Sequence, residues 1–148
     1  MTTSYPPESS DEASALLACA QQWLSSLGWT DWFAEAPEVV EGPSASLWIE
    51  GTKAWVVQVC ASERVLRRAA EELTGVSAED VDDELLQDMV RELVNTLGGN
   101  LYPSLEGATK IGLPCAGVPG GTEVARVRLG DGRRSSLWVQ LRSVPSAL

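Results

Sequence analysis

Leu86, Val90, Leu93 and Leu97 recur at spacings of four, three and four residues, the rhythm of one face of an α-helix. Stepped at about 100° per residue from Leu86, these four together with Met89 and Val94 fall between about −60° and +80°. A helix divided so sharply must lay its apolar sector on another element. Its expected span runs from about residue 78 to at least 97, with Ser77 as the cap. The acidic run Glu79, Asp80, Asp82, Asp83 and Glu84 falls in its opening turns. Carboxylates there complement the helix dipole, and that reading is preferred to a metal or partner site.

What the helix packs on is written in the flanking segments. SLWIE-GT-KAWVVQVC, residues 46 to 60, has two arms rich in β-branched and aromatic residues around Glu50-Gly51-Thr52-Lys53, which predicts a β-hairpin. TEVARVRL and RSSLWVQL alternate apolar and polar residues around Gly130-Asp131-Gly132, a second hairpin. ATKIGLPC, 108 to 115, is a further strand, followed by the loop AGVPGG. A first helix is expected to start at a capping box of Ser9 and Glu12, carry Leu16, Ala20, Trp23, Leu24 and Leu27 on its apolar side, and stop at Gly28. A short helix capped by Ser62 turns Val65, Leu66, Ala69, Ala70 and Leu73 inward and ends at Gly75. The order is helix, two strands, two helices, three strands, which predicts an α+β fold with helices packed on a mainly antiparallel sheet. Residues 29 to 46 hold a cluster of Trp29, Trp32 and Phe33, followed by Pro37 and Pro43, which discourage regular structure. They read as an aromatic plug at the end of the core, with an exposed contact surface as the alternative.

The chain of 148 residues fits one domain, expected over 9–148 behind a loose, polar tail at 1–8. With 21 acidic residues against 11 basic ones its net charge is −10, which disfavours nucleic acid and anionic membrane surfaces as partners. No apolar run is long enough to span a bilayer, and the N-terminus lacks the basic and apolar regions of a signal peptide. The expected compartment is the cytoplasm. Cys19, Cys60 and Cys115 are isolated, odd in number and set among apolar or small residues, as reduced core thiols are. No histidine occurs, so Ser-His and Cys-His nucleophilic pairs are excluded.

The polar side of the long helix poses a question. Asp88, Glu92 and Asn95 fall near 200°, 240° and 180° on the same wheel, opposite the apolar sector. At i and i+3, Glu92 and Asn95 are neighbours, about 5–6 Å apart at Cβ. Asn is a poor interior helix residue, because its amide competes for backbone hydrogen bonds. Asp88, four residues before Glu92, adds a like charge. On spacing alone this is an ordinary solvated face.

The segment Asp88-x-x-x-Glu92-x-x-Asn95, followed by Gly98-Gly99-Asn100, resembles the signature helix of the CheC/CheX/FliY chemotaxis phosphatases. There the pattern is Asp or Ser, three residues, Glu, two residues, Asn, then a glycine. GTKAWVVQV with SERVLRRAAEELTG resembles that family's hairpin and following helix, and IGLPCAGVPGG its post-helix strand. The likeness covers roughly residues 46 to 143, and its single signature helix is nearest to CheX-like members.

The resemblance implies a phosphatase that removes the phosphoryl group from the aspartate of a CheY-like response regulator. Glu92 and Asn95 would be catalytic: Glu92 pairs with the regulator's active-site lysine, and Asn95 orients the attacking water. Asp88, Glu92 and Gly99 would face the partner. The resemblance further implies that this chain binds no cofactor itself, that Mg²⁺ sits in the regulator's own pocket, and that the chain forms a homodimer through sheet edges, for which the two long C-terminal strands are the expected site. The alternative is a non-catalytic adaptor of the same fold that binds a receiver domain or mediates assembly.

Overall fold

The computed structural model describes residues 11–29, 32–36, 38–115, 121–132 and 135–144. The expected tail at 1–8, the Ser9 cap, residues 116–120 of the AGVPGG loop and the side chain of Cys115 lie outside the described residues. Three helices, α1 (Asp11–Ser26), α2 (Glu63–Thr74) and α3 (Asp83–Leu101), lie on one face of a sheet. Its six strands are β1 (Phe33–Glu35), β2 (Ser44–Gly51), β3 (Ala54–Ala61), β4 (Ala108–Cys115), β5 (Thr122–Gly130) and β6 (Ser136–Val144). They are arranged β1-β5-β6-β3-β2-β4 and every pairing is antiparallel. The α+β architecture and the order of elements are those the sequence predicts, with one strand added.

That addition is β1. It has three residues, and it exists because of a contact far away in the sequence. Arg128 on β5 donates to the Glu35 carboxylate (3.0 Å), to the carbonyl of Glu38 and to the hydroxyl of Ser136, tying the short strand to β5 and β6. Both expected hairpins form. β2 and β3 pair from Ser44–Cys60 through Ile49–Trp55, and β5 and β6 pair out to Gly130–Ser136. Alternation in β2, β3 and β6 sends Leu47, Ile49, Trp55, Val57, Val59, Leu137, Val139 and Leu141 into the helix-covered core. β6 is also buried on its other face, where Trp138 packs with Val40 and Cys60, as suits a strand with neighbours on both sides.

The helices keep their predicted inner faces with three local differences. The Ser62 hydroxyl makes no bond to the helix it precedes; it accepts from the Ser136 amide (3.1 Å) and so links the start of α2 to β6. Leu73, expected inward, is 54% exposed, because the last turn of α2 runs past the cover of its neighbours. The long helix starts later than residue 78. Ala78–Asp80 form a 3-10 turn, and Val81 is extended with its side chain buried. Arg67 pins this turn by donating to the carbonyls of Ala78 and Val81. Asp82 then caps α3, accepting from the Leu85 amide at 2.8 Å.

The Trp-rich segment is a plug in part. Trp29 is buried, stands edge-on to Trp23 and stacks with Trp32. Its indole N–H meets the Glu72 carboxylate, and the Arg68 guanidinium lies 4.3 Å from its ring centre. Phe33, by contrast, is 53% exposed on the edge strand. The sheet edges also differ from the expectation for assembly. β6 is paired along both sides, so of the two C-terminal strands only β5 keeps an open stretch, Thr122–Val127, among the described residues. The other open edge belongs to β4.

Candidate functional site

The site is built on α3, the element held most firmly to the sheet. Leu86, Val90, Leu93, Val94, Leu97 and Leu101 are buried beneath it. Gln87 donates to the Ser44 carbonyl (3.1 Å), and Gly98 lies against Leu47 with no room for a side chain. The helix therefore presents its outer face from a fixed backbone. Asp88, Glu92, Asn95 and Gly99 all lie exposed on that outer face.

The electrostatics of the face are uneven. Asp88 is paired with Arg91 at 3.4 Å, three residues on, so its charge is partly compensated. Glu92 and Asn95 have no side-chain ion pair or hydrogen bond among the described residues. The Thr96 hydroxyl donates to the Glu92 backbone carbonyl, leaving the carboxylate itself uncommitted. A free carboxylate can meet a cation, and a free carboxamide can donate and accept at once.

Glu92 also forms one wall of a groove of about 200 Å³ where the three helices meet. Trp23 and Ser26 from α1, Leu27 just beyond it, Leu66, Ala69 and Leu73 from α2, and Met89, Leu93 and Thr96 from α3 complete its lining. The exposed Leu73 is its lip. No three His, Cys, Asp or Glu residues gather as metal ligands among the described residues, and no described helix is long and apolar enough to cross a membrane.

No protein-family model matches the sequence, and no curated protein sequence does. Solved structures do match. CheX from Vibrio vulnificus superposes with a TM-score of 0.71 at 12% identity, over 91% of this chain and 97% of that one. The CheX–CheY complex with BeF3 and Mg²⁺ from Borrelia burgdorferi gives a TM-score of 0.68 at 16% identity, over 90% and 97%. CheX from Desulfovibrio desulfuricans gives 0.62 at 16% identity, over 91% and 100%. This chain has the CheX-like fold. The shared fold also reaches beyond residues 46 to 143, so part of the N-terminal third, where the sequence likeness is less clear, belongs to it too.

Within the CheX-like fold, periodicity places Glu92 and Asn95 together on the outer face of α3, and they stand there side by side. Asp88 shares the face but is bound to Arg91, a pairing the like-charge reading of Asp88 and Glu92 overlooked. The sequence reading also missed the groove. Its one signal was Leu73, an apolar residue in the final turn before Gly75, where a short helix outruns the surface that could cover it.

Proposed function

We propose that this chain is a phosphatase of the CheX type, acting on the aspartyl phosphate of a CheY-like response regulator. The observation that carries the reading is Glu92 and Asn95, adjacent, exposed and unpaired on the rigid outer face of α3 in a CheX-like fold. A CheX of the same fold has been solved with CheY, BeF3 and Mg²⁺, which supports a receiver domain as the partner.

In this reading Glu92 forms an ion pair with the receiver's active-site lysine and seats α3 over the phosphorylated pocket. Asn95 then holds a water in line with phosphorus, its carbonyl oxygen accepting from the water and its N–H₂ donating. The water oxygen bonds to phosphorus as the bond from phosphorus to the aspartyl oxygen breaks, releasing inorganic phosphate and the free carboxylate. A carboxamide suits this place because it adds no charge. A second carboxylate would face the phosphoryl oxygens and repel them. Mg²⁺ belongs to the receiver's pocket, where it offsets the charge of the transferring group. Asp88 and Gly99 complete the partner-facing strip.

The proposal includes a single domain from residue 9 onward, a cytoplasmic setting alongside the receiver, and a symmetric homodimer through an open edge, β4 or the uncovered part of β5. Light scattering should give twice the chain mass at micromolar concentration; the mass of one chain would remove the dimer. The activity itself is tested by phosphate release from a panel of phosphorylated receivers. Acceleration over spontaneous hydrolysis for at least one receiver is expected. Binding without acceleration across the panel would leave an adaptor instead.

A further inference from the structure

Two adjacent glycines near the end of α3 are glycines for different reasons. Gly98 is buried, and a Cβ there would overlap Leu47 of β2. Gly99 faces solvent in the same helix. A Cβ on it would meet nothing within 4 Å, and its backbone has no positive φ that would exclude a side chain. Glycine within a helix destabilises it relative to alanine, since the chain loses more freedom on folding. Nothing in the described fold makes use of the missing side chain at 99.

What the missing side chain does change is the shape of the outer face. Gly99 lies four residues beyond Asn95 and seven beyond Glu92, on the same strip. An Asn side chain is short: its amide stands only about 3.5 Å from its own Cα. To bring that amide within about 3 Å of a water at a phosphoryl group, the helix backbone itself must come close to the partner. Any side chain one turn further on would meet the rim of the pocket first.

We propose that Gly99 is a steric clearance: a bare turn of helix that lets the rim of a phosphorylated receiver pocket rest on the α3 backbone, and so sets how far Asn95 enters. It is a positioning residue for Asn95, and the proposal rests on the phosphatase reading above. The occupant of this strip is a receiver domain carrying an aspartyl phosphate. The groove on the Glu92 side flanks the strip without obstructing it.

The test compares Gly99→Ala and Gly99→Gln with the native chain. Both variants replace glycine with a better helix former at an exposed position, so melting temperature should hold or rise. On a receiver that the native protein dephosphorylates, kcat should fall about tenfold for Gly99→Ala and about 100-fold for Gly99→Gln, graded by side-chain size. A folded Gly99→Gln with native kcat and KM would overturn the clearance. If the native chain hydrolyses no receiver, the phosphatase reading fails by itself, and binding to a receiver loaded with beryllofluoride and Mg²⁺ decides the present proposal. Binding at least tenfold weaker for Gly99→Gln than for the native chain supports it, and equal binding overturns it. No binding by the native chain overturns both.

Discussion

Gly98 of α3 and Leu47 of β2 touch so closely that helix backbone and strand side chain leave no space for a methyl group. Leu47 is fully buried, so its tip has nowhere to turn. Gly98→Ala should therefore cost about 1–3 kcal/mol by overpacking, which lowers the melting temperature by about 2–12 °C. Combining it with Leu47→Ala should cost less than the two changes summed, because the second removes what the first collides with. Thermal melts of the two single variants and the double variant check both statements. Strict additivity would mean that the contact does not limit the packing.

Asn95→Ala separates docking from chemistry. Alanine is the better helix residue at this exposed site, so the fold should be unchanged or slightly firmer. The variant should still bind a phosphorylated receiver through Glu92. Turnover should drop about 10²-fold or more, because the water loses its positioning group. Near-native phosphate release by Asn95→Ala would reduce Asn95 to a solvated residue on a helix face.

Glu92→Ala should fail in a different parameter. Its carboxylate has no partner within the described structure to leave stranded, so stability should change little. Loss of the proposed ion pair weakens the productive complex, and KM should rise about tenfold or more while kcat suffers less. Steady-state kinetics on one receiver separate the two constants; a defect confined to kcat would contradict the docking role.

Cys19 and Cys60 are buried, and burial pushes both thiols above their ordinary pKa by penalising the thiolate. A raised thiol pKa means less thiolate at any pH below it, and the thiolate is the reacting form. Iodoacetamide at pH 8 should therefore leave both sites unlabelled in the native protein and label them after denaturation, as read by peptide mass spectrometry. Prompt native labelling at either site would show that its environment opens.

The parts legible in the sequence are those fixed by local pattern. The β2–β3 hairpin and the two-sided division of α3 follow from alternation and helical spacing among neighbours, and that spacing alone puts Glu92 and Asn95 on one outward face. The start of α3 departs from the expected Ser77 because Ser and Asp can both cap a helix, and Asp82 follows five residues later. Val81, drawn into the core and held by Arg67 from another helix, decided between them. β1 was invisible for a similar reason: Glu35 and Arg128 lie 93 residues apart. The groove beside Glu92 needs the relative placement of three helices, which no single segment encodes.

Trp23 forms part of that groove, its indole set edge-on to Trp29 with ring centres 6.0 Å apart. It is nearly buried, with an edge of its indole lining the groove that Glu92 also lines. An apolar side chain entering the groove would dry that edge and move the indole's emission to shorter wavelength. The other five tryptophans do not line the groove and would contribute the background. The chain thus carries an intrinsic fluorophore at the border of its proposed contact strip, and arrival of a partner can be followed by light without attaching a dye.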